Sequence, residues 1–101
     1  METKVSNSEV IFPNTLQEII EGCKKGDLRA QLQIFKMYYK VMYNTSLRIV
    51  NNTAEAEDIM QEAFLLAFVE IENYSGTVSF EGWLKQIVQN RSLEITRKRI
   101  K

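Results

Sequence analysis

Trp83 follows Phe80 by one helical turn, and Lys85, Gln86, Gln89, Asn90, Arg91, Arg97, Lys98 and Arg99 come behind them. An aromatic ring beside amide and cationic side chains suits single-stranded nucleic acid, because unstacked bases offer π-faces and phosphates need positive charge. The plain alternative is that both rings are core and that the basic residues solvate a helix end. Phe80 fits the core better. Trp83 lies toward the edge of the apolar stripe, where one face of its ring can stay exposed. Arg91 falls near the centre of that stripe, so it either pairs with an acid or reaches outward along its stem.

A second group points to a different chemistry. At about 100° per residue, Asp58, Gln61, Glu62, Leu65 and Val69 share the face opposite the inward side of their segment. Acids alone would make a solvated surface. Leu65 and Val69, four residues apart beside a carboxylate–amide–carboxylate cluster, are equally consistent with a surface that docks another helix.

Other chemistries are excluded by what the chain lacks. It contains no histidine and one cysteine, Cys23. That removes a Ser-His-Asp triad, a Cys-His pair, a His-containing zinc site and an internal disulfide. Nothing positions a carboxylate- or lysine-based catalytic group, so no enzyme activity, cofactor or metal is expected. Cys23 falls on an apolar helix face and reads as a buried structural thiol. No apolar run approaches the roughly 20 residues needed to cross a bilayer, and the first residues lack a signal-peptide pattern. A cytoplasmic location without a membrane partner is the resulting expectation.

The formal net charge of zero hides a segregated distribution. Residues 53–84 hold seven acidic residues and no Lys or Arg, whereas residues 85–101 hold six basic residues against Glu94 alone. Such segregation points to two partners, one of them a polyanion.

The elements that must position these groups are helical. At 101 residues, with 45% hydrophobic and 26% charged, the chain has room for one domain and one modest core. Residues 1–14 are polar and aperiodic and read as a loose arm. Thr15 and Glu18 form a capping box for a short helix with Leu16, Ile19, Ile20 and Cys23 on its apolar stripe, ended by Gly26. Asp27 caps a helix of about six turns, whose apolar face is read as Leu28, Leu32, Phe35, Tyr39, Met42, Tyr43, Ile49 and Val50. Asn51, Asn52 and Thr53 break it and supply the cap for the next helix. A third helix then runs to about Asn73 with Ala56, Ile59, Met60, Ala63, Phe64, Ala67, Phe68 and Ile71 inward. A Ser75–Val78 turn follows, and Ser79 caps a last helix with Phe80, Leu84, Ile87, Val88 and Ile95 inward. From Arg97 onward the chain is expected to fray. The expected fold is all-α, a compact bundle of three long helices plus a short N-terminal one.

Three stretches taken together resemble region 2 of extracytoplasmic-function sigma factors. They are residues 52–65 (NTAEAEDIMQEAFL), 80–84 (FEGWL) and 87–93 (IVQNRSL), and the similarity spans about residues 15–99. The resemblance implies a sigma factor region 2-like bundle that binds RNA polymerase core and recognises and melts the promoter −10 element. It assigns Asp58, Gln61, Glu62 and Leu65 to the helix that docks on the β′ subunit clamp. It assigns Asn73, Tyr74, Ser75 and Ser79 to the loop that captures a flipped base of the non-template single strand. Phe80, Trp83, Gln86 and Asn90 match the helix face at the upstream edge of melting, with Lys85, Arg97, Lys98 and Arg99 near phosphates. An anti-sigma factor is a further partner that the resemblance allows. Proteins of this class carry a second, helix-turn-helix domain that reads the −35 element, so residues 100–101 are expected to be the frayed start of a linker toward it.

The chain also departs from the pattern. Ser75 stands where an arginine is common, Leu66 and Val69 where lysine or arginine is common, and Glu94 where aspartate is usual. These departures keep an alternative open: a sigma-like interaction module without promoter function, whose sticky third helix serves another partner or self-association.

Overall fold

The computed structural model describes residues 15–100, with side chains through Arg99; the arm expected at 1–14 and the terminal Lys101 lie outside the described residues. Four helices follow in order: α1 (Leu16–Lys24), α2 (Leu28–Val50), α3 (Thr53–Glu70) and α4 (Phe80–Ile100), with a 3-10 turn at Ile71–Asn73 between α3 and α4. The described residues contain no strand, and the fold is all-α as expected.

Each junction is written in local chemistry. Thr15 Oγ1 accepts from the Glu18 backbone N–H at 3.2 Å, and the Glu18 carboxylate accepts from the Thr15 N–H at 2.9 Å, satisfying two donors that a helix start leaves free. Asp27 Oδ1 accepts from the Arg29 N–H and starts α2. Gly26 takes the left-handed conformation between α1 and α2, at φ +81°. Asn51 is the one non-glycine residue among those described with positive φ, at 55°; it ends α2, and the Asn52 side chain caps α3 through the Glu55 N–H. Two adjacent asparagines thus reverse the chain without an intervening loop.

The helices run up, down and up. Glu62 meets Arg91 and Glu55 meets Arg99, so α3 and α4 are antiparallel. Tyr38 packs against Phe80 and Ser46 against Ser92, so α2 and α4 run in the same direction. One end of the bundle therefore gathers the start of α2, the end of α3, the start of α4 and the 71–79 connection. The far end gathers the Asn51–Asn52 reversal and the last turns of α4.

The inward face of α3 is as the periodicity predicts, with Phe68 half-buried and the rest sealed. That of α2 is not. Its buried residues are Ala30, Ile34, Tyr38, Met42, Ser46 and Val50, spaced strictly by four. Leu28 and Leu32, expected inside, are 71% and 46% exposed, and Tyr39 is exposed as well. A four-residue spacing advances about 40° beyond a full turn at each step, so the buried line winds around the helix. The winding follows the change of neighbour, from α1 at Ala30 to α4 at Ser46.

Small residues mark the closest approaches. A Cβ at Gly22 would lie 2.8 Å from the Ala30 Cβ, so α1 can sit this close to α2 only without one. Gly22→Ala is expected to push α1 outward and cost about 1–3 kcal/mol, checked by urea denaturation. At the α2–α4 crossing Ser46 and Ser92 are sealed from solvent, their hydroxyls 2.8 Å apart, and Ser92 also reaches the Val88 carbonyl. The pair satisfies its own polar atoms, which lets the helices touch without a cost in lost hydrogen bonds.

Cys23 is buried, and burial, helped by the Asp27 charge, pushes its thiol up to about 11. The thiolate is suppressed at neutral pH, as a structural cysteine requires. Where fraying is expected from Arg97, α4 is helical to Ile100, and Arg99 donates to the Val50 carbonyl at 3.0 Å, capping α2. The Arg99 Nη1 also lies 3.0 Å from Glu55 Oε1, an ion pair whose geometry stops short of a hydrogen bond.

Candidate nucleic-acid interface and docking face

At the loop end of the bundle three aromatic rings share one corner. Tyr74 meets Phe80 edge-on at 5.4 Å between centroids and Trp83 at 5.3 Å, and Phe80 and Trp83 are 5.5 Å apart. Tyr38 closes the cluster from α2 at 5.7 Å from Phe80. Phe80 is sealed, so its ring is a floor for its neighbours and has no face to offer a ligand. Trp83 and Tyr74 are half-buried and keep surface outside. Burial, Glu81 and Tyr74 raise the Tyr38 phenol above its ordinary value, so it stays neutral.

The connection above this corner is short and internally bonded. The Tyr74 hydroxyl donates to the Val78 carbonyl, closing the loop on itself, and Ser75 bonds Thr77 through their hydroxyls. Gly76 supplies the positive φ, at +86°. Asn73 donates to the Glu70 carboxylate, and Ser79 Oγ accepts from the Gly82 N–H to start α4. The backbone carbonyl of Tyr74 is held from outside: Lys24 Nζ, at the end of α1, donates to it at 3.2 Å. This contact spans 50 residues and leaves no trace in the sequence pattern.

Along α4, Trp83, Gln86 and Asn90 line one exposed strip, and the Gln86 amide donates to Asn90 Oδ1 at 3.0 Å. Arg97 continues that strip about 21 Å beyond Trp83. Lys85 lies about 160° around the helix from Trp83 and pairs with Glu81 at 3.2 Å. Lys98 is exposed near the far end, where Arg99 is engaged as described. The structure therefore brings Asn73, Tyr74, Ser75, Ser79, Trp83, Gln86 and Asn90 together, and holds Arg97, Lys98 and Arg99 at the other end.

The outward face of α3 is a separate surface. Asp58, Gln61, Glu62 and Leu65 are all exposed, Leu65 at 68%, and Val69 reaches 76%. Gln61 donates to Glu57, and Glu62 accepts from Arg91 Nε at 2.9 Å. Arg91 also bonds Glu94 at 3.0 Å; both hydrogen bonds raise its affinity for its proton further. The ambiguous arginine is thus an interhelix tie, half out of the stripe and paired with acid. Leu65 stands on the rim of an apolar groove of about 350 Å³ between α2 and α3, with Leu28, Leu32, Phe35, Phe64 and Phe68 as its walls. Sequence reasoning missed the α2 wall, because it assigned Leu28, Leu32 and Phe35 to the core.

The family model for sigma-70 region 2 matches residues 34–100. The chain belongs to the sigma-70 region 2 family. Among curated relatives, region 2 of this chain is similar to the ECF RNA polymerase sigma factor SigW of Bacillus subtilis, 36% identical over 84 residues, which cover 83% of this chain and 45% of that protein. It is also similar to the RNA polymerase sigma-H factor of Pseudomonas aeruginosa, 35% identical over 75 residues, or 73% of this chain and 38% of that one. The chain spans less than half the length of these relatives. Among solved structures, an engineered region 2 of sigmaE in complex with GTAAAA superposes with a TM-score of 0.77 at 24% identity, covering 85% of this chain and 90% of that one. At that identity the likeness establishes the fold. The match to the family model begins within α2, so α1 lies outside it.

Proposed function

We propose that this chain is the promoter-opening region of an extracytoplasmic-function sigma factor. In this reading α3 binds the clamp of the polymerase β′ subunit through Asp58, Gln61, Glu62 and Leu65. The Tyr74–Trp83 corner holds bases of the non-template strand at the −10 element. The observation that carries it is the separation of two unlike exposed surfaces on one bundle, an acidic and apolar helix face and an aromatic corner.

The two surfaces divide the energetics. An apolar ridge flanked by carboxylates offers a partner helix hydrophobic burial at its centre and charge selection at its rim. Opening a duplex costs unstacking of a few kcal/mol per base, and a base resting on Trp83 or Tyr74 recovers about 1–3 kcal/mol. Binding to polymerase keeps strand and corner together, so a weak capture becomes an intramolecular one.

Fluorescence anisotropy with single-stranded DNA enriched from a randomised pool tests this reading. Weak, salt-dependent binding that prefers the single strand to its duplex supports it; equal affinity for both forms contradicts it. The competing reading, a sigma-like interaction module, draws on the exposed Leu66 and Val69, 47% and 76% accessible. A dimer seen by light scattering that Val69→Lys dissolves would favour that module.

A further inference from the structure

We infer that Lys24, on α1 and outside the segment matched by the family model, is part of the strand-capture site, where it holds the loop and contacts a phosphate of the captured strand. The inference rests on the reading of residues 73–83 as a nucleic-acid site. A single strand that lays a base on Tyr74 or Trp83 brings its phosphates to the loop, and phosphates need a cation there. The loop and its flanks have none. Residues 70–84 carry Glu70, Glu72 and Glu81 and no Lys or Arg. Lys85 is paired with Glu81 on the other flank of α4, and Arg91 with Glu62 and Glu94. Arg97 to Arg99 begin about 21 Å away along the helix.

Lys24 meets the need from outside the loop. Its ammonium is 3.2 Å from the Tyr74 carbonyl, and among the described residues it is the one cationic side chain hydrogen-bonded to this segment. An ammonium has three donors, and the carbonyl takes one. The side chain is half-buried, and the Gly22–Ala30 approach sets how close α1 stands. One residue therefore fixes the carbonyl beside the aromatic corner and leaves two N–H donors for an oxyanion.

The test titrates the enriched single strand into the full chain and into Lys24→Gln and Lys24→Arg over a range of salt concentrations. Glutamine keeps a donor for the Tyr74 carbonyl and loses the charge; arginine keeps both. Losing one phosphate contact lowers the salt slope by about 0.7 for a single strand. The expected result is that Lys24→Gln lowers the slope by this amount and weakens binding several-fold at low salt, while Lys24→Arg restores both. Equal slopes for wild type and Lys24→Gln, with wild-type binding intact, would overturn the inference and leave the reading of the loop standing. A wild-type chain that does not distinguish single strand from duplex would overturn both.

Discussion

Trp83→Ala is expected to weaken single-strand binding by about 1–3 kcal/mol, roughly five- to over a hundredfold in affinity, measured by fluorescence anisotropy. The ring packs on Tyr74 and Phe80, so its removal also loosens the corner. Trp83→Phe separates the two effects. It retains a π-face and most of the packing, and is expected to recover the larger part of the affinity. Binding that tracks thermal stability across both variants, with no extra loss in Trp83→Ala, would make the tryptophan a packing residue and nothing more.

Leu65→Lys carries the second large effect. The side chain is 68% exposed, so its replacement is expected to change folding stability by less than about 0.5 kcal/mol. At the centre of a docking ridge the same change buries an unpaired charge. Hot-spot residues of this kind cost about 2 kcal/mol or more, about thirtyfold in affinity. Calorimetry with a coiled-coil fragment of the β′ clamp should show binding to the wild type and none to Leu65→Lys at matched concentrations. The double substitution Asp58→Ala, Gln61→Ala should fail likewise. Retained affinity in Leu65→Lys would exclude this ridge from the contact.

Legibility in the sequence depended on how much contrast each helix offers. In α3 the inward residues are all apolar and the outward ones mostly acidic or amide, so a single stripe fits, and Leu65 and Val69 stand out as exceptions. In α2 apolar residues occupy two neighbouring faces. Hydrophobicity favoured Leu28, Leu32 and Tyr39, whereas close helix crossings selected Ala30 and Ser46, which no hydrophobic pattern ranks highly. Caps were plain throughout, because Thr15, Asp27, Asn52 and Ser79 act on backbone groups within three residues. Long-range polar contacts were not. The partner of Arg91 is 29 residues away and that of Lys24 is 50 away, and only the packing of whole helices brings them together. Phe80 divides the two kinds of reading: the apolar stripe placed it inward, as it is, whereas the rings of Tyr38 and Tyr74 that enclose it come from other elements and leave no mark in the stripe.

The arrangement of α3 against α4 rests on a shared buried core, and Arg91 and Arg99 tie its edges. Both reach acids of α3, at Glu62 and Glu55, and Arg99 also holds the end of α2. A partially exposed pair contributes little by itself, near 0–1 kcal/mol. Its consequence is geometric, since Glu62 belongs to the proposed docking face and Arg91 to the helix that presents the strip beside Trp83.

Backbone amide chemical shifts of the chain, titrated separately with the β′ coiled-coil fragment and with the enriched single strand, test the central claim most directly. The fragment should perturb amides between Asp58 and Val69, and the strand those between Asn73 and Asn90, with little overlap. Both ligands moving the same residues, or a bound fragment that leaves α3 unperturbed, would contradict a bundle with two separate working faces.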